Sequence, residues 1–264
     1  MILRFARAAQ LVLVRPLPMP EPQPVLVIGG TRGTGVLIAR LLRQRGQRVR
    51  VVARDSKRAA SLFDASVEIV AGDLTKPGTL SPGISGARHL IFTAGCRSGY
   101  PVREPRVKAV EFDGVVQTLA AARQVGFSGR FLYMTSSGVT TKNIATRCLN
   151  LWKGNTLVCR RRAEDEIRAS GVDYTIIRTG VLLNRPGGEH VITITQQSLP
   201  LAWRYRIARA DVAEVFVTAL DHPKTSRTTF EAVWGARGEP QPLQRLLEGL
   251  QRDDELKGLR YEAV

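Results

Sequence analysis

The sequence of 264 residues contains little of what metal sites and disulfide frameworks require. Cysteine occurs three times, at Cys96, Cys148 and Cys159, never in a Cys-x-x-Cys pair, and histidine also occurs three times. These residues give no support to a zinc site, and we predict no metal ligands. A sparse, odd set of cysteines suits a reducing compartment, which favours a cytoplasmic location.

Long apolar runs are also missing, because no stretch approaches the roughly 20 residues of a membrane-spanning helix. Residues 1–18 contain three arginines and no acidic residue, and their apolar run LVLV is short. A basic leader or a peripheral membrane helix would both fit, which leaves an organelle or membrane-peripheral location open. We interpret residues 1–23 as an extension that is either disordered or the result of a mis-assigned start at Met1 rather than Met19.

Acidic residues are scarce, with 23 of them against 39 Lys and Arg, for a formal charge of +16. Such a charge would serve nucleic-acid or anionic-membrane binding. The basic residues are nevertheless scattered over every segment, and CRRRAEDE is the only tight cluster. We therefore disfavour a nucleic-acid partner, and an anionic cofactor suits the charge equally well.

Strand-like and helix-like segments alternate along residues 24–235. Seven apolar runs, among them PVLVIGG and VDYTIIRTG, predict buried strands, and helical spacing in segments such as GVLIARLLRQRGQ predicts helices. This alternation predicts an α/β fold, a Rossmann-like doubly wound parallel sheet with helices on both faces, in a single domain. Residues 107–126 are predicted to form one long helix. Residues 236–264 are predicted to be a loosely docked helical tail.

The stretch IGGTRGTG, residues 28–35, lies between the first predicted strand and the first predicted helix. A doubly wound sheet binds dinucleotides at that point, where backbone N–H groups and the helix N-terminus meet the phosphates. The spacing G-x-x-x-G-x-G differs from G-x-G-x-x-G and from the P-loop, which would need a Gly-Lys-Ser/Thr ending. The predicted cofactor contacts in this turn are Gly29, Thr31, Arg32, Gly33, Thr34 and Gly35.

The glycine spacing resembles the T-G-x-x-x-G-x-G signature of short-chain dehydrogenases/reductases, with Ile28 in place of Thr. The later run RRRAEDEIRASGVDYTIIRTGVLLNRPGG, followed by RADVAEVFVTAL, closely resembles the atypical, NmrA-like branch of that family, and the likeness covers about residues 24–235. AGDL resembles the family's adenine-contacting element, TAG its N-A-G and MTSSG its serine-containing strand end. The resemblance implies further cofactor contacts at Asp73, Leu74, Thr93, Ala94, Gly95 and Thr135.

The choice between NADP(H) and NAD(H) depends on the end of the second strand, where NAD-binding proteins usually place an acidic residue. Arg54 stands there, and a guanidinium can pair with a 2′-phosphate. Arg32 is a second basic candidate, because a basic residue at that position accompanies NADP in the family resembled. These two residues favour NADP(H) as the cofactor. Asp55 is the counter-signal, since it could bind a ribose diol.

The classical catalytic pair Tyr-x-x-x-Lys is absent, because none of the five tyrosines has Lys four residues later. The family's Lys corresponds to Arg160, which stays protonated and cannot readily relay a proton. The remaining catalytic candidates are Ser136 and Ser137 at the end of the fifth strand, with Arg160. Residues 181–206 are predicted to be a loop on the substrate side. Arg209 and Asp211 are interpreted as structural, as a first-turn acid and its partner.

Two functions of different class follow from this pattern. The first is an NADPH-dependent oxidoreductase that reduces a small carbonyl, quinone or flavin-like acceptor without the Tyr/Lys pair. The second is a non-catalytic NADP(H)-binding redox sensor or assembly and regulatory factor, whose partner would be a protein. A nucleotide-sugar epimerase is a weaker third reading, since such enzymes usually keep the Tyr/Lys pair. No feature of the sequence predicts the oligomeric state.

Overall fold

A computed structural model describes residues 22–96, 103–235, 239 and 241–256. Most of the N-terminal extension, residues 1–21, therefore lies outside the described residues, as do residues 236–238, 240 and 257–264 of the tail. The strands are β1 Val25–Ile28, β2 Val49–Ala53, β3 Val67–Ala71, β4 His89–Phe92, β5 Arg130–Ser136, β6 Asp173–Thr179, β7 Val181–Leu183, β8 Ile192–Thr195, β9 Arg206–Ala208 and β10 Thr228–Trp234. The helices are α1 Gly33–Gln44, α2 Ser56–Ala60, α3 Ser81–Ile84, α4 Glu104–Glu111, α5 Asp113–Gln124, α6 Ile144–Trp152, α7 Thr156–Ala169, α8 Arg209–Ala219 and α9 Leu243–Glu248.

The main sheet has the strand order β3-β2-β1-β4-β5-β6-β10-β8. The first seven of these strands run parallel, in the order expected for two right-handed crossover halves that meet at β1 and β4. The predicted Rossmann-like α/β sheet is confirmed, with one correction. The edge strand β8 is antiparallel to β10, and the sheet is therefore mixed.

Helices cover both faces of the sheet because each strand carries apolar residues on both sides. Helices α1, α8 and α9 bury residues such as Ile38, Phe216 and Leu247 against one face. Helices α3, α4, α5 and α7 bury residues such as Val115 and Ile167 against the other face. The seven parallel strands are thus enclosed, as continuous Val, Ile and Leu runs require. Their carboxyl ends all meet at one edge, where the candidate site lies.

The single helix predicted for residues 107–126 is wrong, because the chain breaks at Phe112 into α4 and α5. Phe112 has φ −119° and ψ −65°, and its side chain is buried. At the break, Lys108 Nζ lies 2.6 Å from Oδ1 of Asp113, which is the first residue of α5. The bend leaves Glu111 at the end of α4, close to the end of β4, where its carboxylate accepts a hydrogen bond from the Cys96 backbone.

The prediction of a loop for residues 181–206 is also corrected by the structure. The segment begins with β7, which pairs with β9 in a two-stranded parallel sheet, and it contains β8 at the edge of the main sheet. Its alternating ITIT sequence fits an edge strand with one covered face. Helix α6 was likewise not predicted.

The described part of the tail is anchored to the sheet. Leu247 and Leu250 are buried in the core shared with α1 and α8. Asp253 accepts hydrogen bonds from the Thr229 backbone N–H at 2.8 Å and from the Tyr174 hydroxyl at 3.1 Å, and it pairs with Arg168. A polar tail is expected to dock loosely, but a buried carboxylate with this many donors holds residues 249–253 in place.

Candidate cofactor and substrate site

The glycine turn between β1 and α1 lies directly against the end of β4. Gly29 has φ +87°, in the left-handed region that favours glycine, and an added Cβ atom there would lie 2.6 Å from the Ala94 nitrogen. A Cβ atom at Gly35 would lie 2.5 Å from Thr93 Oγ1 and would collide with the Gly29 carbonyl oxygen. The structure therefore brings the predicted residues Gly29, Gly35, Thr93 and Ala94 into contact.

The N-terminus of α1 is left open toward the carboxyl edge of the sheet. Its N-cap residue, Arg32, offers no side-chain hydrogen bond, and the first turn of α1 has no acidic residue. Thr34 in that turn is buried, and its hydroxyl oxygen has no hydrogen-bond partner within the described residues. Open backbone N–H groups, a positive helix end and an unpartnered buried hydroxyl fit a bound phosphate. Thr31 lies half-buried in the same turn, ahead of the helix.

Arg209 is a second basic group at the glycine turn, and the sequence interpretation of it as purely structural missed this position. An added Cβ atom at Gly33 would lie 3.6 Å from Arg209 Nε, so the guanidinium lies across the start of α1. Arg209 Nη1 donates hydrogen bonds to Asn184 Oδ1 at 2.7 Å and to the Leu182 carbonyl at 3.2 Å. These bonds hold the guanidinium near the predicted phosphate position. The signal was available in the RADV run, whose arginine is the first residue of α8.

Asp211 does play a structural part, although its hydrogen-bond partners are Gly188 and Trp234 rather than the expected Arg209. Its two carboxylate oxygens accept hydrogen bonds at 2.7 Å from the Gly188 backbone N–H and from the Trp234 indole. Asp211 is buried, and the bond from Gly188 ties the segment after β7 to the first turn of α8.

The predicted 2′-phosphate end follows β2. Arg54 is exposed there, and Asp55 next to it is the N-cap of α2, whereas Arg32 is exposed at the start of α1. Asp55 Oδ1 accepts a hydrogen bond from the Arg58 backbone N–H at 3.0 Å. The counter-signal for NAD(H) is thus engaged as a helix cap, a role that aspartate commonly fills.

Asp73 and Leu74 follow β3, beside this end of the site. Partial burial raises the pKa of Asp73, but hydrogen bonds from Thr75 and the nearby charges of Arg54 and Lys76 outweigh it and lower the pKa overall. Thr75 donates to Asp73 Oδ1 from both its backbone and its hydroxyl, at 2.9 and 2.8 Å. Asp73 is therefore an ionised group close to Arg54. Leu74 is partly buried and packs near Gly114 of α5.

Arg160 reaches the end of β4 from α7. An added Cβ atom at Gly95 would lie 2.9 Å from its Nη2 atom. Arg160 Nε donates to Glu111 Oε2 at 2.9 Å, and Nη1 donates to the Met134 carbonyl at 3.1 Å. Burial lowers the pKa of Arg160, but the Glu111 carboxylate outweighs this effect and raises the pKa overall. The guanidinium stays charged and positions the ends of β4 and β5; it does not relay protons.

The three polar residues at the end of β5 are placed differently from one another. Ser136 is partly exposed, and its hydroxyl donates to the Ser137 carbonyl at 3.0 Å. Ser137 is fully buried, and its hydroxyl donates to Glu231 Oε2 at 2.5 Å. Thr135 is buried, and its hydroxyl oxygen is without a partner among the described residues. Ser137 faces the interior, so of the two predicted serines only Ser136 is placed to contact an acceptor.

A buried charge network lies behind Ser137 and was not predicted. Arg178 of β6 donates from Nε and Nη2 to the two oxygens of Glu164 at 3.0 and 2.6 Å. Its Nη1 atom lies 3.8 Å from Glu231 Oε1 in β10. Arg168 also pairs with Glu164 and continues to Asp253. The network crosses from α7 through β6 to β10 and on to the tail.

The carboxyl groups of this network differ in their proton affinity. Burial raises the pKa of Glu164, but its two arginine partners outweigh this and lower the pKa overall. Burial raises the pKa of Glu231 to about 7, against the opposing effects of Arg178, the Ser137 hydroxyl and the Leu199 backbone N–H. Arg178 donates hydrogen bonds from Nε and Nη2 to Glu164, and only its Nη1 atom approaches Glu231, at the longer distance of 3.8 Å. The pKa of the Glu231 carboxyl therefore lies near neutral pH.

Residues 181–206 cover the same edge. The Gly138 N–H donates to the Leu199 carbonyl at 3.0 Å, and the Leu201 side chain lies against Gly138, so this segment seals the turn after β5. The His190 ring contacts the Trp234 ring, with centroids 3.9 Å apart. Trp203 is largely exposed. No group of three or more His, Cys, Asp or Glu among the described residues is arranged to hold a metal ion.

Comparison with known proteins places these features in context. A family model described as NAD(P)H-binding matches residues 29–223. The chain is 34% identical over 225 residues to an uncharacterised chloroplastic protein of Arabidopsis thaliana, covering 81% of this chain and 77% of that protein. It is 28% identical over 242 residues to sanguinarine reductase of Eschscholzia californica, covering 78% of this chain and 87% of that enzyme.

A solved structure with the same arrangement is that of a putative NAD-dependent epimerase/dehydratase from Bacillus halodurans. It is 25% identical, with a TM-score of 0.71, and the match covers 86% of this chain and 100% of that chain. Among the helices in the described part of the chain, none is long and apolar enough to cross a lipid bilayer.

Proposed function

This chain belongs to the NAD(P)H-binding family whose model matches residues 29–223, and on that premise we propose that it is an NADPH-dependent oxidoreductase. The proposed acceptor is a small carbonyl, quinone or flavin-like molecule. The observation that carries the proposal is the open N-terminus of α1, with Arg209 across Gly33 and the unpartnered Thr34 hydroxyl beside it. This arrangement fits a pyrophosphate with a redox-active group beyond it.

The residues that would hold NADPH divide between the two ends of the site. The glycine turn, Thr31, Thr34 and Arg209 would bind the pyrophosphate, and Arg54 with Arg32 would bind the 2′-phosphate. Asp73 and Leu74 would border the adenine, and the end of β4 with Thr135 would border the nicotinamide. Bound there, the cofactor supplies a hydride. Sanguinarine reductase, a relative at 28% identity, carries the name of a reductase, which supports this class of reaction.

The chain's own contribution to the reaction is mainly positioning. The Ser136 hydroxyl, partly exposed at the end of β5, would hydrogen-bond the acceptor oxygen. Ser137 and Arg160 would fix the strand ends, through Glu231 and Glu111 respectively. The chain has no Tyr/Lys pair, and Arg160 stays protonated, so the proton for a reduced carbonyl would come from water. Alignment of the reactants would supply most of the rate gain.

The cofactor assignment is tested by binding titrations with NADPH and NADH. Arg54→Ala is expected to weaken NADPH binding about tenfold, because a charge-assisted hydrogen bond to phosphate is lost. NADH binding should change less than about twofold, since no phosphate is present. Arg123→Ala, which removes an exposed arginine at the opposite edge of the sheet, is the matched control. Equal losses for both nucleotides would contradict NADPH specificity.

The reaction is tested by mixing the protein and NADPH with quinones, free flavins and carbonyl compounds while following nicotinamide absorbance. Ser136→Ala is expected to lower kcat/KM for the preferred acceptor about tenfold and to leave NADPH affinity unchanged. Tight NADPH binding without oxidation by any acceptor of a broad panel would count against an oxidoreductase.

A second candidate function is a non-catalytic NADP(H)-binding sensor or assembly factor. The observation that favours it is the absent Tyr-x-x-x-Lys pair together with Arg160, whose raised pKa removes it as a proton donor. Capture of a protein partner that depends on whether NADP+ or NADPH is bound, without acceptor reduction, would support it. In either case we propose a cytoplasmic protein; the chloroplastic relative in Arabidopsis makes an organelle the alternative.

A further inference from the structure

Helix α6 presents an apolar face to solvent. Ile144, Leu151 and Trp152 expose 80%, 82% and 66% of their surface, and Cys148 is exposed as well. These residues stand at i, i+4, i+7 and i+8, which is one face of a helix. We refer to these four residues as the outer face of α6. Single exposed apolar residues are ordinary on a protein surface, but a contiguous helical face of them marks an interaction site.

The orientation of α6 is fixed by polar contacts on its inner side. Asn143 and Thr146 form a capping box, with the Asn143 side chain accepting from the Thr146 N–H at 2.8 Å. Thr146 is buried, and Asn150 Oδ1 accepts from the Leu157 backbone N–H at 2.9 Å, which joins α6 to α7. The helix is therefore anchored by its polar side. Its apolar side faces outward because of this anchoring and not because the helix is frayed.

Basic residues surround the outer face, and acidic residues are missing from this part of the chain. Residues 138–163 contain six Lys and Arg and no Asp or Glu. Lys142 and Arg147 are exposed on either side of Ile144, and Lys153 follows Trp152. The next apolar residue on α7, Val158, is 48% exposed. An apolar strip that contains a tryptophan and has a basic border is typical of helices that lie in a membrane interface.

We propose that the outer face of α6 binds the surface of an anionic lipid bilayer. Apolar side chains would enter the headgroup boundary, and Lys142, Arg147 and Lys153 would meet the anionic headgroups, each raising binding about fivefold. A second copy of the chain would bring two basic borders together, which repel each other. Nucleic acid would use the basic border but would leave the apolar face uncovered.

This surface lies beside the candidate substrate site. Helix α6 follows the end of β5 after a turn of seven residues, 137–143, and that strand end carries Ser136. A bilayer bound to α6 would therefore face the carboxyl edge of the sheet, where the acceptor is expected to enter.

The proposal is tested by flotation of the full chain with vesicles of phosphatidylcholine alone or with one part in three phosphatidylglycerol. We expect binding to the anionic vesicles and at least tenfold weaker binding to the neutral ones. Leu151→Ser with Trp152→Ala should reduce binding to anionic vesicles about tenfold, and Lys142→Gln with Arg147→Gln should reduce it about 25-fold. NADPH affinity and the unfolding midpoint are measured on each variant to establish that the fold is kept.

Two matched controls distinguish this surface from general basicity or stickiness. Val116→Ser removes an exposed apolar residue on α5, and Arg123→Gln with Lys224→Gln removes two exposed charges at the opposite edge of the sheet. Both should bind vesicles as the unmodified chain does. Binding that falls less than threefold in the α6 variants would overturn the proposal, since another segment, such as residues 1–21, would then be responsible. The proposal would also be overturned if the chain bound no vesicles, whether or not it self-associated in analytical sedimentation.

Discussion

The glycine turn and the buried charge network are built in opposite ways at the same edge of one sheet. At the turn, side chains are absent, so that backbone atoms of Gly29, Gly35 and Ala94 approach closely and N–H groups remain available. In the network, long charged side chains fill the interior, and Arg178 divides its donors between Glu164 and Glu231. The glycine turn provides a binding surface because it lacks side chains. The charge network fixes the strand ends because its charged side chains are buried and paired.

The two regions also differ in how well they can be predicted from the sequence. The turn is encoded by eight consecutive residues, and Gly29 and Gly35 have their close contacts within that stretch or at the adjacent end of β4. In the network, Ser137 and Glu231 are 94 residues apart, and Arg178 and Glu164 are 14 apart. Local spacing can predict the turn, whereas the network exists only once the strands are side by side. The two regions should accordingly fail in different ways when altered.

The largest effect is expected from removing Arg178, which would break the network and leave the turn intact. Arg178→Leu strands the buried carboxylates Glu164 and Glu231 without their shared partner, and we expect a loss of about 3–5 kcal/mol in the free energy of unfolding. Urea denaturation followed by circular dichroism measures the loss. Arg178→Lys keeps the charge but not the fork and should be intermediate.

An exposed pair provides the control for that prediction. Arg45 pairs with Glu214, each side chain about 41% exposed, and Arg45→Gln should cost less than about 1 kcal/mol. Similar losses for Arg178→Leu and Arg45→Gln would show that the buried network contributes no more than a surface contact does.

A pH dependence of about 3 kcal/mol is expected from Glu231. Its pKa is about 7 in the folded protein against the ordinary 4.5, so the folded state holds the proton between those two pH values and the unfolded state does not. Stability contributed by this proton is present below pH 4.5 and is lost as the pH rises through 7, at about 1.4 kcal/mol per pKa unit. Glu231→Gln removes that dependence, so its stability relative to the unmodified protein should rise by about 3 kcal/mol over this range.

The measurement is a pair of urea series at several pH values. Glu166→Gln, an exposed substitution on α7, serves as the comparison and should shift the curve little at any pH. A constant difference between Glu231→Gln and the unmodified protein across the range would contradict the raised pKa.

The smallest loss of stability is expected at the glycine turn, where a substitution should affect NADPH binding more than folding. The Cβ atom of Gly35→Ala would press on the Gly29 carbonyl and on Thr93 Oγ1, and we expect a cost of about 1–3 kcal/mol. NADPH affinity should fall more than tenfold, because the turn must widen where the pyrophosphate is expected. Isothermal titration and denaturation of the same variant separate the two effects.

Gly249→Ala is the matched control, since a Cβ atom there would meet no atom within 4 Å. It should leave both stability and NADPH affinity nearly unchanged. If Gly35→Ala bound NADPH normally, the close approach at the turn would not serve the cofactor.

Much of the fold could be predicted because the parallel strands are local signals. All seven predicted strands occur, and the resemblance to atypical short-chain dehydrogenases is confirmed by the family and by the Bacillus halodurans structure. The helix break at Phe112 could not be predicted, since its cause is the burial of Phe112 and the contact of Glu111 with distant Cys96 and Arg160. Strand β8 depends in the same way on β10, because Thr195 pairs with Glu231, which lies about 36 residues later in the sequence.

At the candidate site, backbone features were more accessible to prediction than side-chain partners. The positions of Gly29, Gly35, Thr93 and Ala94 follow from their motifs. The engagement of Asp55 as a cap could have been read from its place before a helix. The orientation of Ser137 toward Glu231 could not, because the TSSG run contains nothing that distinguishes an inward from an outward serine.

Asp253 has a consequence for how the chain folds as it is made. Its partners Arg168 and Tyr174 precede it by 85 and 79 residues, and Thr229 precedes it by 24. Domains fold progressively during synthesis, and contacts between distant residues pay loop-closure entropy before they form. Strands β6 and β10 therefore leave the ribosome before Asp253, the hydrogen-bond acceptor of Tyr174 and Thr229, has been made. Residue 253 emerges after both strands have been made, and its carboxylate then joins β6 to β10.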